Sequence, residues 1–223
     1  MILIPARNEG PRVGRVVESV IRAVPGVPIV VIANGCTDNT AEVARSAGAT
    51  VIHSSPGYGA ALLEGYRYAL QDQTVQRLVQ LDADGQHRAD DIPRLWAALD
   101  HDDLVIGSRF VDGGEAQGWP RRRRWAVAAI GVATSVLAGT RLKDVSSGFQ
   151  AFRRPVIEAL CEDFPCELTD ANVLVRLHRL GFSISEIGVQ MNGRLGGESM
   201  HGGLKSALYA GKTMLAVLSE IRG

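Results

Sequence analysis

Short runs rich in β-branched residues alternate with longer stretches carrying apolar side chains every three or four positions, and the alternation persists through residue 110. Ile2-Leu3-Ile4 reads as a buried strand ended by Pro5, and Val13, Val16, Val17, Val20 and Ile21 then mark one face of a helix. Pro28 to Ala33 is a second strand, after which Thr37-Asp38 offers capping side chains for the opening of a helix. The series continues with a strand over Thr50 to His53, a helix over Gly57 to Asp72 and a strand leading to Asp82. A helix carrying Ile92, Leu95, Trp96 and Leu99 and the strand Leu104-Val105-Ile106 complete it. Parallel strands need crossover connections of this length, so the pattern predicts an α/β fold built on a doubly wound, mostly parallel sheet.

The second half is less periodic. The sequence predicts a helix over Pro120 to Gly139, a short strand over Gly148 to Phe152, and helices near Pro155 to Cys161 and Leu168 to Leu180. Phe182, Ile184, Ile187 and Val189 suggest one more strand. A glycine-rich loop, Asn192 to Gly203, leads into a last helix running to Ile221. No internal repeat or low-complexity linker interrupts the chain, so its 223 residues read as one domain with a helical C-terminal extension.

The strand before Asp82 ends in Leu81-Asp82-Ala83-Asp84-Gly85-Gln86-His87. Two carboxylates two positions apart lie on the same side of an extended backbone. That arrangement suits a hard divalent cation, which takes oxygen ligands and often bridges to substrate phosphates. The carboxyl edge of an open α/β sheet is also where such folds bind ligands. The alternative is a turn with two solvated acids. His87 reads as an exposed loop histidine in preference to a ligand.

Charge and cysteine usage narrow the function. The formal net charge is zero, which argues against nucleic acid as a partner, and the local run Arg121 to Arg124 is the exception. Cys36, Cys161 and Cys166 have no metal-ligand spacing and fit a reducing, cytoplasmic setting. The start Met1-Ile2-Leu3-Ile4-Pro5 predicts no signal peptide. The longest candidate for a span, Trp125 to Gly139, has 15 uncharged residues, about 22 Å as a helix, which is too short to cross a bilayer. It is suited to a buried helix or to one lying at a membrane surface.

Seven segments in order resemble a family 2 glycosyltransferase of the GT-A fold, in its polyprenyl-phosphate (dolichol-phosphate-mannose-synthase-like) branch. They are Ile4 to Glu9, Val30 to Thr40, Gly57 to Ala61, Leu81 to His87, Ile106 to Phe110, Asp144 to Phe152 and Arg194 to Met200. The resemblance implies a nucleotide-sugar-binding half over 1–110, an acceptor half over 111–202 and a C-terminal amphipathic helix over 203–223. It implies that Asp84 and Gln86 contact a Mg²⁺ or Mn²⁺ ion bridging the donor diphosphate, with Asp82 supporting the metal or the sugar nucleotide. Pro5 and Ala6 bring the chain to the sheet's carboxyl edge, where Asn8 and Glu9 are placed to hydrogen-bond a ribose or base. The family usually carries two acids after the second strand; here Ala33 and Asn34 stand there, and Asn34 keeps hydrogen-bonding capacity without charge. Gly57 and Gly59 permit close backbone approach to a phosphate. Arg109 brings a planar, always charged donor to the same cleft.

Arg121 to Arg124 are expected to divide between an acceptor phosphate and anionic lipid headgroups, Arg121 and Arg124 among them, or to be a solvated helix start. Leu204, Leu208, Leu215, Leu218 and Ile221 beside Lys205, Lys212 and Arg222 resemble an interfacial helix, and the same stripe also suits a core face. In the family a stretch like Arg194 to Ser199 lies near the acceptor site. Family members often carry a lysine after that serine; here Met200 follows, and Lys205 is its candidate substitute.

The resemblance implies inverting transfer of a hexose from a UDP- or GDP-linked donor to a polyprenyl phosphate. The enzyme would be peripheral on the inner membrane face, with room for a small membrane-protein partner. A polyprenyl phosphate is already an anionic nucleophile. A hydroxyl acceptor would instead need a general base, for which Glu167 and Asp170 are the candidates, unless they are acids stabilised by a helix dipole. Transfer to a soluble or polysaccharide hydroxyl, and a catalytically silent nucleotide-binding domain, are the competing readings.

Overall fold

The computed structural model describes residues 1–116, 131, 142–166 and 171–192. Seven strands form one sheet: β1 (Ile2–Ala6), β2 (Ile29–Asn34), β3 (Thr50–Ser54), β4 (Arg77–Gln80), β5 (Leu104–Ser108), β7 (Gln150–Arg153) and β8 (Ile184–Gly188). Their spatial order is β3-β2-β1-β4-β7-β5-β8. All neighbours run parallel except β7, which is antiparallel to both β4 and β5. A small second sheet pairs β6 (Glu115–Ala116) with β9 (Gln190–Met191). The helices are α1 (Gly10–Ala23), α2 (Thr40–Ser46), α3 (Tyr58–Gln71), α4 (Ile92–Ala98), α5 (Arg154–Glu162) and α6 (Ala171–Arg179).

Successive strand side chains feed two cores. Ile2, Ile4, Val31, Val79, Val105 and Ala151 meet α1, α2 and α4 on one face. Leu3, Val30, Ile32, Leu78, Leu104, Ile106 and Phe152 meet α3, α5 and α6 on the other. The period of two along each strand therefore sorts side chains between two helical layers, and both faces are apolar because both are covered. On α1, Val13, Val16, Val17 and Val20 are buried as their spacing predicts, but Ile21 is 41% exposed.

Several expected boundaries shift for physical reasons. β1 continues through Pro5 to Ala6. The Ile2 amide bonds to Pro28 on the β2 side, so alternate residues, Pro5 included, face β4. Pairing with β4 has ended at Leu3, so the missing N–H at Pro5 removes no ladder bond. The second helix starts at Thr40, and Asp38 just before it joins two helix starts: its carboxylate accepts from the Gly10 amide at 3.0 Å and from the Thr40 amide at 3.0 Å. The strand expected over Gly148 to Phe152 lies at Gln150–Arg153 and is inserted between β4 and β5. The expectations for the helix over 120–139, the loop beyond Asn192, the last helix, Glu167, Asp170, Arg121 to Arg124, Arg194, Ser199, Met200 and Lys205 lie outside the described residues.

Candidate active site

The chain leaves β4 and turns under a buried histidine. The Asp82 amide donates to His87 Nδ1 at 3.0 Å, so that nitrogen carries no proton and Nε2 does. The ring is stacked on Phe149, with centroids 5.0 Å apart and planes 13° apart, and only 8% of the residue is exposed. Burial pushes the imidazole pKa down to about 4, with Asp84 pulling it up and Arg109 pushing it further down. His87 is thus a neutral structural group that fixes the main chain at Asp82, and its bonded Nδ1 and protonated Nε2 offer no lone pair to a cation. The expected exposed loop histidine is corrected here. Its burial comes from Phe149, 62 residues further on, which no local pattern connects to it.

Asp84 is 7% exposed, and its carboxylate accepts the Gln86 amide at 3.0 Å across Gly85, whose φ of 78° closes the turn. Gln86 is held from the far side of the sheet edge. Its carbonyl accepts from the Asn192 amide at 2.9 Å, and its Nε2 donates to the Asn192 carbonyl at 3.4 Å. That bond turns the amide nitrogen toward Asn192 and leaves the carbonyl oxygen as the end able to meet a cation. Two carboxylates and an amide oxygen, with no thiolate or imidazole among them, fit a hard divalent ion such as Mg²⁺ or Mn²⁺.

Asp82 is positioned from three directions. Tyr58, the first residue of α3, donates its hydroxyl to Asp82 Oδ1 at 3.2 Å. Gly148 closes the site from behind: a Cβ there would stand 3.0 and 3.1 Å from the two Asp82 carboxylate oxygens and 3.1 Å from the Tyr58 hydroxyl. Gly148 is itself held, because buried Gln80 donates to its carbonyl at 3.4 Å while accepting from Tyr66 at 2.6 Å. Tyr58 and Gly148 both lie in segments that carry the family resemblance, yet their roles depend on contacts 24 and 66 residues away from Asp82.

The remaining expected residues gather at the same edge, mostly engaged with one another. Pro5 and Ala6 are buried at the end of β1, so they present backbone there. Asn8 takes a φ of 55°, and its side-chain oxygen accepts from the Thr37 amide at 2.8 Å. The Glu9 amide donates to the Thr40 hydroxyl oxygen at 2.8 Å, and the Glu9 carboxylate pairs with Arg12. Asp38 also accepts from the Thr40 amide at 3.0 Å; burial acts to raise its pKa, but these hydrogen bonds outweigh it and hold the acid low. Asn34 is buried and accepts from the Gly57 amide at 2.9 Å, tying the end of β2 to the start of α3. Gly57 needs its freedom for a φ of 135°. Gly59 packs so tightly that a Cβ would stand 2.2 Å from the Cys166 carbonyl oxygen, so close helix packing demands that glycine.

Arg109 follows β5 and is 6% exposed. Its amide and Nε donate to Asp144 Oδ2 at 2.9 and 2.7 Å, and its terminal nitrogen bonds Asp144 Oδ1 and, at 2.8 Å, the Ser146 hydroxyl. Asp144 is fully buried, and its own amide donates to Glu186 at 2.7 Å. The guanidinium is thereby built into the wall of the cleft, bracing the end of β5 against the turn that carries Gly148. Sequence reasoning gave no individual role to Asp144, Ser146 or Glu186, which hold this arginine and its turn in place.

The sequence profile of glycosyl transferase family 2 matches residues 1–161. This chain belongs to glycosyl transferase family 2. Among its family relatives, it is 31% identical to a polyprenol monophosphomannose synthase of Mycolicibacterium smegmatis, covering 94% of this chain and 84% of the relative. It is also 31% identical to an undecaprenyl-phosphate mannosyltransferase of Micrococcus luteus, covering 92% and 88%. The fold is shared with glucosyl-3-phosphoglycerate synthase of Mycobacterium tuberculosis, seen in complex with Mn²⁺, UDP and phosphoglyceric acid. That comparison gives a TM-score of 0.76 at 20% identity, covering 99% of this chain and 77% of the other. The mixed, mostly parallel seven-stranded sheet is therefore the GT-A architecture of this family 2 chain.

Proposed function

We propose that this family 2 protein is a metal-dependent, inverting glycosyltransferase that moves a hexose from a nucleotide diphosphate sugar to a polyprenyl phosphate. The observation that carries the reading is that Asp82, Asp84 and Gln86, three oxygen-bearing side chains in the turn at the carboxyl edge of the sheet, are each held in place by hydrogen bonds. The lipid-phosphate acceptors named for two relatives aligned over most of the chain support the choice of acceptor. The lipid acceptors named for these relatives support placing the protein peripherally at a membrane surface, on the inner face; no helix among the described residues is long and apolar enough to cross a membrane. The first half, 1–110, would hold the donor, 111–202 the acceptor, and 203–223 an interfacial helix.

In this mechanism Asp84 and the Gln86 side-chain oxygen would hold Mg²⁺ or Mn²⁺, with Asp82 beside them. When bound, the cation stabilises the charge that builds on the departing nucleoside diphosphate. Tyr58 and Gly148 keep the Asp82 carboxylate in one position, and His87 keeps its main chain there. The loop ends at Asn8, Glu9 and Asn34 shape the floor for the nucleoside. Arg109 holds the cleft wall through Asp144. The acceptor phosphate is anionic near neutral pH and attacks the anomeric carbon in line as the diphosphate leaves, so the step requires no general base.

The test is a transfer assay with UDP- and GDP-hexoses, Mg²⁺ or Mn²⁺, and a short-chain polyprenyl phosphate in detergent. Metal-dependent formation of the lipid-linked sugar, lost in Asp84→Asn, is the expected result. Donor hydrolysis with transfer only to a hydroxyl acceptor would overturn the lipid-phosphate reading.

A further inference from the structure

A cavity of about 370 Å³ opens along the solvent side of α1, and Arg12, Arg15, Ser19, Arg22 and Arg88 lie in its wall. Its size is that of a small-molecule site. The four α1 residues recur at intervals of three and four, so they stand one above another on a single helix face. The other face of α1 is the valine stripe buried against the sheet. Gly85 and Asn192 close the upper end, while none of Asp82, Asp84, Tyr58 or Asn34 lines the cavity. It adjoins the turn that carries Asp82, Asp84 and Gln86, since Gly85 lies between Asp84 and Gln86 and Asn192 bonds Gln86, but none of the three lines it.

Its charges are unevenly compensated. Arg12 pairs with Glu9, and Arg88 bonds Asp90 at 3.4 Å and Gln190 at 2.8 Å. Arg15 and Arg22 have no ion-pair or hydrogen-bond partner among the described residues, and Asp90 is the one acid in the lining. Like charges stacked at helical spacing repel, so the row costs the isolated helix stability. Arg22 in the last turn is offset by the helix dipole, whereas Arg15 in the middle is not. Several guanidinium forks converging on one concavity are the chemistry of phosphate recognition.

We propose that this cavity is a second anion site, distinct from the donor site, that takes a phosphate-bearing group through Arg15 and Arg22 with Arg12 and Arg88 beside them. Two sources supply that chemistry: the headgroup of an acidic lipid or a soluble phosphate ester. The proposal does not depend on which sugar or acceptor the protein uses.

Calorimetric titration of the full chain with inorganic pyrophosphate, in EDTA to remove divalent cations, is the test. Binding is expected in the wild type, is unchanged in Asp84→Asn and is roughly tenfold weaker in Arg15→Ala/Arg22→Ala, in line with two lost ionic contacts. Arg67→Ala/Arg179→Ala removes the same charge from exposed positions elsewhere and is expected to bind as the wild type does. Absence of binding without divalent metal would overturn the proposal. So would unchanged affinity in the Arg15/Arg22 variant, or equal weakening in the control variant. Sedimentation with phosphatidylglycerol and phosphatidylcholine vesicles separates the sources. Loss of acidic-vesicle binding in Arg15→Ala/Arg22→Ala assigns the lipid headgroup; unchanged vesicle binding beside weakened pyrophosphate binding assigns the soluble ester.

Discussion

Two sides of one sheet edge hold their loops by different means. Around β1, β2 and β3 the ties run mainly from side-chain oxygens to main-chain amides: Asn8 to Thr37, Asp38 to Gly10, and Asn34 to Gly57. Around β4, β7, β5 and β8 the ties are buried and include an ion pair: Arg109 is bound to Asp144, and the neutral His87 is wedged between Asp82 and Phe149. Single hydrogen bonds of this kind are each worth about 1 kcal/mol net, so their loops can readjust one at a time. A buried ion pair stripped of one partner leaves an uncompensated charge, so that side responds as a unit. The β1–β3 side, proposed to meet the nucleoside, can therefore vary residue by residue, and the β4–β8 side, proposed to meet the metal, cannot.

The sharpest way to break this comparison is Arg109→Ala. It is expected to cost about 3–5 kcal/mol of unfolding free energy in a denaturant titration, because Asp144 would remain buried and charged. Arg109→Leu/Asp144→Leu should recover much of that loss. A single substitution costing under about 1 kcal/mol would mean that the two sides are not different in kind.

Next in size is the histidine. His87 has a folded pKa of about 4 against an ordinary value of 6.5. Between those pH values the unfolded chain binds the proton and the folded one does not, so stability falls as pH drops through that window. The loss is expected to reach up to about 3 kcal/mol by pH 4. Thermal melting across pH should show a flatter profile in His87→Gln, which removes the imidazole that must stay neutral. An unchanged profile would remove His87 from the metal side's structural frame.

Smaller effects sharpen the contrast. Gly148→Ala pushes a methyl group into Asp82 and Tyr58, and we expect about a tenfold loss of transfer rate, roughly 1.4 kcal/mol, with little change in melting temperature. Asn34→Ala leaves the Gly57 amide without its partner and is expected to cost about 1 kcal/mol of stability. Asn34→Asp keeps the acceptor and should cost less. If Asn34→Ala proved the more damaging to transfer, the nucleoside side would be the less adaptable one.

Much of the scaffold was legible in the chain because it depends on neighbours in sequence. The valines of α1, the runs that became β1, β2 and β5, and the period that divides Leu3 from Ile2 and Ile4 all follow from local spacing. β7 was placed within two residues, but its direction and its insertion between β4 and β5 were not legible. Neither was the burial of His87. A short strand reads alike in either direction, and an imidazole reads as exposed until the residue that covers it is known.

Local sequence thus determined which segments are helix or strand and which faces are apolar. Tertiary structure alone decided which polar residues are engaged with each other: Arg109 with Asp144, Asn34 with Gly57, Tyr58 and Gly148 with Asp82, and the arginines of α1 with the cavity beside Arg88. Periodicity reports the burial that each residue needs, a property of the chain within a few residues. Hydrogen-bond and ion-pair partners are chosen by where distant segments meet, and that is set only when the two cores close on the sheet.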